Sequence, residues 1–96
     1  MIRTFGNALA EDLFHDRVSR AVRQFPPELR ANARRKLQVL DDAETLRILA
    51  ALPGNRFEKL KGDRKGRYSI RINSQWRVVF QWQDGHVLDV MIEDYH

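Results

Sequence analysis

Near Asn55 the spacing of apolar residues changes from that of a helix to that of a strand. Before it, Leu9, Leu13, Phe14, Val18, Ala21, Val22 and Phe25 recur at helical intervals, and Leu29, Ala33, Leu37 and Leu40 form a second stripe. Beyond it, Tyr68, Ile70 and Ile72 alternate with Ser69, Arg71 and Asn73, and Trp76, Val78, Phe80 and Trp82 alternate with Arg77, Val79 and Gln81. A chain with its helices first and its strands afterwards folds as α+β, with the helices gathered on one face of an antiparallel sheet. With 96 residues there is room for one domain, residues 1–96, around one core.

Punctuation along the chain sets the expected boundaries. Ile2 to Phe5 is a short β-prone run, and Asn7 suits a helix N-cap because its side-chain oxygen can accept from a free first-turn N–H. The first stripe predicts one helix up to Pro26-Pro27, where proline ends it. Pro27 then fits the first turn of a second helix reaching about Leu40, with Arg30, Arg34, Arg35 and Lys36 filling its polar side. Glu44 to Leu52 predicts a short third helix before Pro53-Gly54-Asn55. Arg56 to Lys61 reads as a strand, Asn73-Ser74 as a turn, Asp84-Gly85 as a hairpin, and Val87 to Ile92 as a last strand. The face away from the helices is expected to carry Arg71 and Arg77, whose parity is compatible with adjacent positions across the first of these hairpins and with an open basic concave surface.

Composition narrows the function. Seventeen Lys and Arg against thirteen Asp and Glu give a net charge of +4, which suits an anionic partner and equally suits simple solubility. The distribution favours the partner. Arg56, Lys59, Lys61, Arg64, Lys65, Arg67, Arg71 and Arg77 fall within 22 residues, with Glu58 and Asp63 as the acidic residues between them. Such a cluster matches phosphate binding, which gives affinity and orientation. Tyr68 and Trp76 lie in the same segment; core packing is the expected role and base stacking the alternative. Without cysteine there is no disulfide framework, thiolate zinc site or thiol nucleophile. No metal-ligand spacing or cofactor motif is present, no apolar run approaches the roughly 20 residues of a membrane span, and the first residues lack a signal-peptide core. A cytoplasmic protein is expected.

Asp94-Tyr95-His96 places three proton-handling side chains together. Histidine exchanges protons near neutrality, and a carboxylate and a phenol beside it suit general acid–base chemistry. A frayed terminus is the plainer alternative. His15 and His86 carry no such context.

Four blocks in order, Leu60-Lys61-Gly62-Asp63-Arg64-Lys65-Gly66, Tyr68-Ser69-Ile70-Arg71-Ile72-Asn73, Trp76-Arg77-Val78-Val79-Phe80 and Glu93-Asp94-Tyr95-His96, resemble the HigB-type toxins of the RelE/ParE superfamily, and Pro53-Gly54-Asn55-Arg56 fits the approach to the first block. The resemblance covers most of residues 50 to 96 and is looser before them. It implies a curved antiparallel sheet of about four to five strands with two to three helices packed on one face, the architecture of microbial ribonucleases. It also implies a metal-free endoribonuclease that cuts messenger RNA on the ribosome. The implied partner is a helix-turn-helix, HigA-like antitoxin that binds operator DNA together with the toxin. Lys61, Arg77, Asp94, Tyr95 and His96 match the family's active-site positions, with His96 as acid or base, Asp94 orienting it and Arg77 and Lys61 facing the phosphate. Arg56, Lys59, Arg64, Lys65, Arg67 and Arg71 are the expected RNA and ribosome contacts. Some relatives carry a histidine just before the first block, where this chain has Phe57-Glu58-Lys59. Either Glu58 substitutes for it, or His96 and Lys61 carry the proton transfer; a surface position for Glu58 is the expectation. Two other readings stand beside the nuclease: a ParE-like inhibitor of DNA gyrase, and a basic binding module without catalysis.

Overall fold

The computed structural model describes residues 1–95. Its helices are α1 (Ala8–Phe14), α2 (Arg20–Gln24), α3 (Arg30–Asp42) and α4 (Leu46–Ala51), with 3-10 turns at Pro27–Leu29 and Gly62–Arg64. Its strands are β1 (Glu58–Lys59), β2 (Arg67–Arg71), β3 (Trp76–Gln83) and β4 (His86–Asp94). The strands form one antiparallel sheet in the order β1-β2-β3-β4. The architecture is the expected α+β arrangement, an open sheet with its helices packed on the core.

The core joins the helical stripes to one parity of the strands. Leu13, Val22, Phe25, Leu37, Leu40 and Leu49 meet Ile70, Val78, Phe80, Val87, Val90 and Ile92, all buried. Tyr68 and Trp76 belong to this packing rather than to a stacking platform: Tyr68 stacks on Phe57 at 5.5 Å, and Trp76 meets Phe25 edge-on at 4.9 Å.

Three elements depart from the sequence expectation. The stripe from Leu9 to Phe25 is two helices rather than one. Asp16 adopts a left-handed backbone, φ 55°, just after α1, and the Ser19 hydroxyl caps α2 by accepting from the Val22 N–H. Asp and Ser favour such local turns over helix interiors, and Val18 between them is left 78% exposed instead of joining the core. The segment from Ile2 to Phe5 forms two isolated parallel bridges, to Val87 and Val90, and thereby covers the outer edge of β4. Lys36, read from its neighbours as part of a polar face, is buried at 7% exposure.

Two local devices curve and close the sheet. At Asp84-Gly85 both residues have positive φ, 51° and 80°, so the hairpin turn matches the right-handed twist of the strands it joins. In β3 and β4 the register shifts between Val79 and Gln81, where Asp89 takes φ 57°. A bulge of this kind bends the strand and increases its twist.

Gly6 lets the first segment approach that bulge. A Cβ on Gly6 would sit 2.5 Å from Met91 Cγ and 3.0 Å from the Asp89 carbonyl oxygen. Gly6→Ala should therefore destabilise the fold by about 1–2 kcal/mol through overpacking, read as a lower urea midpoint at unchanged slope.

Candidate active site

The face of the sheet away from the helices holds a cleft of about 230 Å³, lined by Arg56, Glu58, Arg71, Asn73, Ser74, Arg77 and Tyr95. The β2–β3 turn builds its floor. Asn73 Oδ1 accepts from the N–H groups of Gln75 and Trp76, at 2.9 and 2.7 Å, and this closure sets Arg71 opposite Arg77. β1 brings Glu58 beside Ser69 in the neighbouring register. Beyond the end of β4, the Tyr95 N–H donates to the Gln75 carbonyl at 2.6 Å, which holds the phenol at the rim.

Arg77 is the fixed point of the cleft. It is 6% exposed, although it faces away from the apolar core. Nε donates to Ser69 Oγ at 2.8 Å, while Nη2 donates to the Arg56 carbonyl and, at 3.3 Å, to the Ser69 carbonyl. Nη1 lies 3.6 Å from Glu58 Oε1, and the Tyr95 ring lies 5.4 Å from the guanidinium carbon, within cation–π range. Burial pushes the guanidinium below its ordinary value; Glu58 and Tyr95 oppose that shift, and Arg71 and Arg56 add to it. Arginine remains a cation under such pressure. The result is a fixed positive charge in a site partly withdrawn from water, with an exposed carboxylate beside it.

The residues singled out from sequence are placed differently from one another. Arg56, Arg71, Arg77 and Tyr95 meet at the cleft. Arg64 and Arg67 are engaged in ion pairs, with Glu93 at 2.5 Å and Asp89 at 2.6 Å. These pairs come from β4, over twenty residues away in sequence, so the segment's positive charge is more neutralised than its local composition indicates. Among the described residues no ion-pair partner is found for Arg56, Lys59, Lys61, Lys65 or Arg71. Lys61 precedes the 3-10 turn, exposed and outside the cleft lining. Asp94 pairs in register with Trp76, accepts from Gln75 Nε2 at 2.9 Å and does not line the cleft. His96 lies outside the described residues.

Glu58 is the residue whose place the sequence understated. It has the expected surface exposure and also lines the cleft, with Oε1 3.6 Å from Arg77 Nη1. Ser69, fully buried, is a second one: it supplies two of the acceptors that aim Arg77. The parity that Ser69 shares with Arg71 in β2 was the available signal for Ser69; for Glu58 it was only its place in the strand expected before the basic turn.

Behind the cleft, Lys36 Nζ donates to Asn55 Oδ1 at 2.6 Å, both residues buried. Burial, reinforced by Arg35, pushes the Lys36 ammonium below its usual value of 10.5. Because the folded state binds that proton less tightly than the unfolded chain, stability attributable to Lys36 rises with pH through the window between its folded value and 10.5. The difference in urea-unfolding free energy between the native protein and Lys36→Met should change in the native protein's favour across that window. A flat difference would show an unshifted lysine.

Comparison with known proteins agrees with this architecture at two levels. The fold is that of the RelE-like toxins. A chain of the crystal structure of the heterotetrameric YoeB–YefM toxin–antitoxin complex from Staphylococcus aureus superposes with a TM-score of 0.61 over 100% of this chain and 98% of that one, at 24% identity. The YoeB dimer from the same organism gives 0.60 over 99% and 94%, at 26% identity. A family model described as the RelE-like toxin of the type II toxin–antitoxin system HigB matches residues 2–96, and the chain belongs to that family. Toxin HigB-1 of Vibrio cholerae serotype O1 is 48% identical over 61 residues, 64% of each protein. Endoribonuclease HigB of Proteus vulgaris is 42% identical over 41 residues, 43% of this chain and 45% of that protein. These alignments thus span less than two thirds of either relative. No helix among the described residues is long and apolar enough to cross a membrane.

Proposed function

We propose that this protein is the toxin of a type II toxin–antitoxin system, acting in the cytoplasm as a ribosome-dependent, metal-free endoribonuclease that cuts messenger RNA. The observation that carries this reading is the buried Arg77 guanidinium, held by Ser69 and the Arg56 carbonyl, with the Glu58 carboxylate 3.6 Å away in an open basic cleft. A relative bearing the name Endoribonuclease HigB supports it.

The chemistry needs little more than these groups. RNA brings its own nucleophile, the ribose 2′-OH. A base takes the 2′-proton, and the oxygen attacks the adjacent phosphorus. The bond to the 5′-oxygen breaks, and an acid protonates that leaving group. The products are a 2′,3′-cyclic phosphate and a 5′-hydroxyl end. Glu58 is assigned as the base and His96 as the acid, while Arg77 stabilises the charge that develops on the phosphorane oxygens. Arg56 and Arg71 hold the flanking phosphates, and Tyr95 fixes the substrate at the rim. Lys59, Lys61 and Lys65 contribute exposed charge for the ribosome, and Asp94 steadies the strand end before His96.

The partner assigned is a helix-turn-helix antitoxin that neutralises the toxin and binds operator DNA with it. A structural relative is known in complex with its YefM antitoxin.

Induced expression of the native protein and of His96→Ala, with 5′ ends of cellular mRNA mapped afterwards, tests the reading. New cuts within translated codons are expected with the native protein and should fade in the variant. Growth arrest without new mRNA ends would reject the nuclease and direct attention to gyrase.

A further inference from the structure

Lys36 stands on α3, outside the cleft lining, yet a short relay joins it to Arg77. Its ammonium donates to Asn55 Oδ1 at 2.6 Å. Asn55 is fixed from other directions as well: Nδ2 donates to the Leu49 carbonyl at 3.0 Å, and the Asn55 carbonyl accepts from the Arg71 N–H at 2.6 Å. The next residue, Arg56, has φ 43°, a left-handed backbone that a non-glycine residue adopts only when its surroundings impose it. The carbonyl of this same Arg56 accepts from Arg77 Nη2. Two of the three arginines at the cleft, Arg56 and Arg71, are thus joined to Asn55 through the backbone, and the third is held by the carbonyl that follows Asn55.

An ammonium facing one neutral acceptor is a costly way to fasten a helix to a loop, because an apolar side chain of the same length would fill the space without burying a charge. What the amine adds is direction: it turns the Asn55 amide one way and holds it there.

We propose that Lys36 is a positioning residue for the cleft, which acts through Asn55 to hold the strained Arg56 backbone so that its carbonyl keeps Arg77 aimed. The kinetic arm of the test rests on the ribonuclease reading; the spectroscopic arm does not.

The test compares the native protein with Lys36→Met, Asn55→Ala and the double variant, with Ser19→Ala as a remote control that removes the cap of α2. Nitrogen-15 NMR follows the Arg77 Nε–H, which should exchange slowly because it is buried and bonded to Ser69 Oγ. Both single variants should lose that protection and lower kcat by about tenfold to a hundredfold, since small misplacements of a positioned group are costly. KM should change less than about twofold, because Lys36 touches no cleft surface. The double variant should be no worse than the worse single one, as expected for two members of one contact. Ser19→Ala should keep both the protected resonance and the turnover. If Lys36→Met does not give a folded amide spectrum, Lys36→Leu is read in its place. An Arg77 resonance unmoved by loss of Lys36, or single-variant losses that multiply in the double variant, would overturn the proposal. Should the native protein cleave no RNA, the ribonuclease reading falls and the Arg77 resonance alone decides the positioning role.

Discussion

Arg77→Lys is expected to lower mRNA cleavage by about 10²- to 10³-fold, the range for removing a fixed donor aimed at developing charge. The substitution keeps a cation, so total charge does not account for the loss. What disappears is the fork. The guanidinium places Nε on Ser69 Oγ and Nη2 on the Arg56 and Ser69 carbonyls, leaving Nη1 turned toward Glu58 and the cleft. An ammonium at the end of a flexible stem cannot satisfy those acceptors and also point into the site. Buried acceptors left without donors should cost about 1–3 kcal/mol of stability, so the variant should denature at lower urea while remaining folded without it. Single-turnover cleavage measured beside RNA binding checks the assignment: the rate should collapse while affinity, carried by Arg56, Arg71 and the exposed lysines, falls only modestly. Parallel loss of rate and affinity would make Arg77 a binding residue instead.

The parts of this site that were legible in sequence are those with a local period. Alternation in β2 and β3 puts Arg71 and Arg77 on one face, and the observed register pairs them directly. The apolar stripes identified the core, and Asp84-Gly85 identified its hairpin. The parts that were not legible depend on distant partners. Nothing near Arg64 or Arg67 signals that Glu93 and Asp89 will neutralise them across the sheet. Lys36 looks like one more cation in a run of them, and only the packing of α3 against the Asn55 loop buries it. β1 is two residues long, too short for an alternation to show which way Glu58 faces. The break between α1 and α2 has local signals, since Asp16 and Ser19 are turn and cap formers, but the helical spacing of apolar residues runs through it unbroken.

Glu58→Gln should reduce cleavage by about 10²- to 10⁴-fold, the usual contribution of a positioned general base. The amide keeps the shape of the side chain and can still face Arg77, but it cannot take the 2′-proton. Loss of the negative charge removes a competitor for phosphate beside Arg77, so RNA affinity should hold or rise while turnover falls. That opposition marks a base, whereas turnover that holds in Glu58→Gln would leave Glu58 a mere partner of the arginine. The roles of Glu58 and His96 can then be told apart with the substrate. A phosphorothiolate in which sulfur replaces the 5′-bridging oxygen has a leaving group that departs without a proton. On that substrate His96→Ala should recover most of its rate if His96 is the acid, whereas Glu58→Gln should stay slow because the attacking hydroxyl still needs deprotonation. Recovery of Glu58→Gln instead would exchange the two assignments and place the carboxyl at the leaving group. Recovery of neither would return the proton transfers to Lys61 and the residues around it.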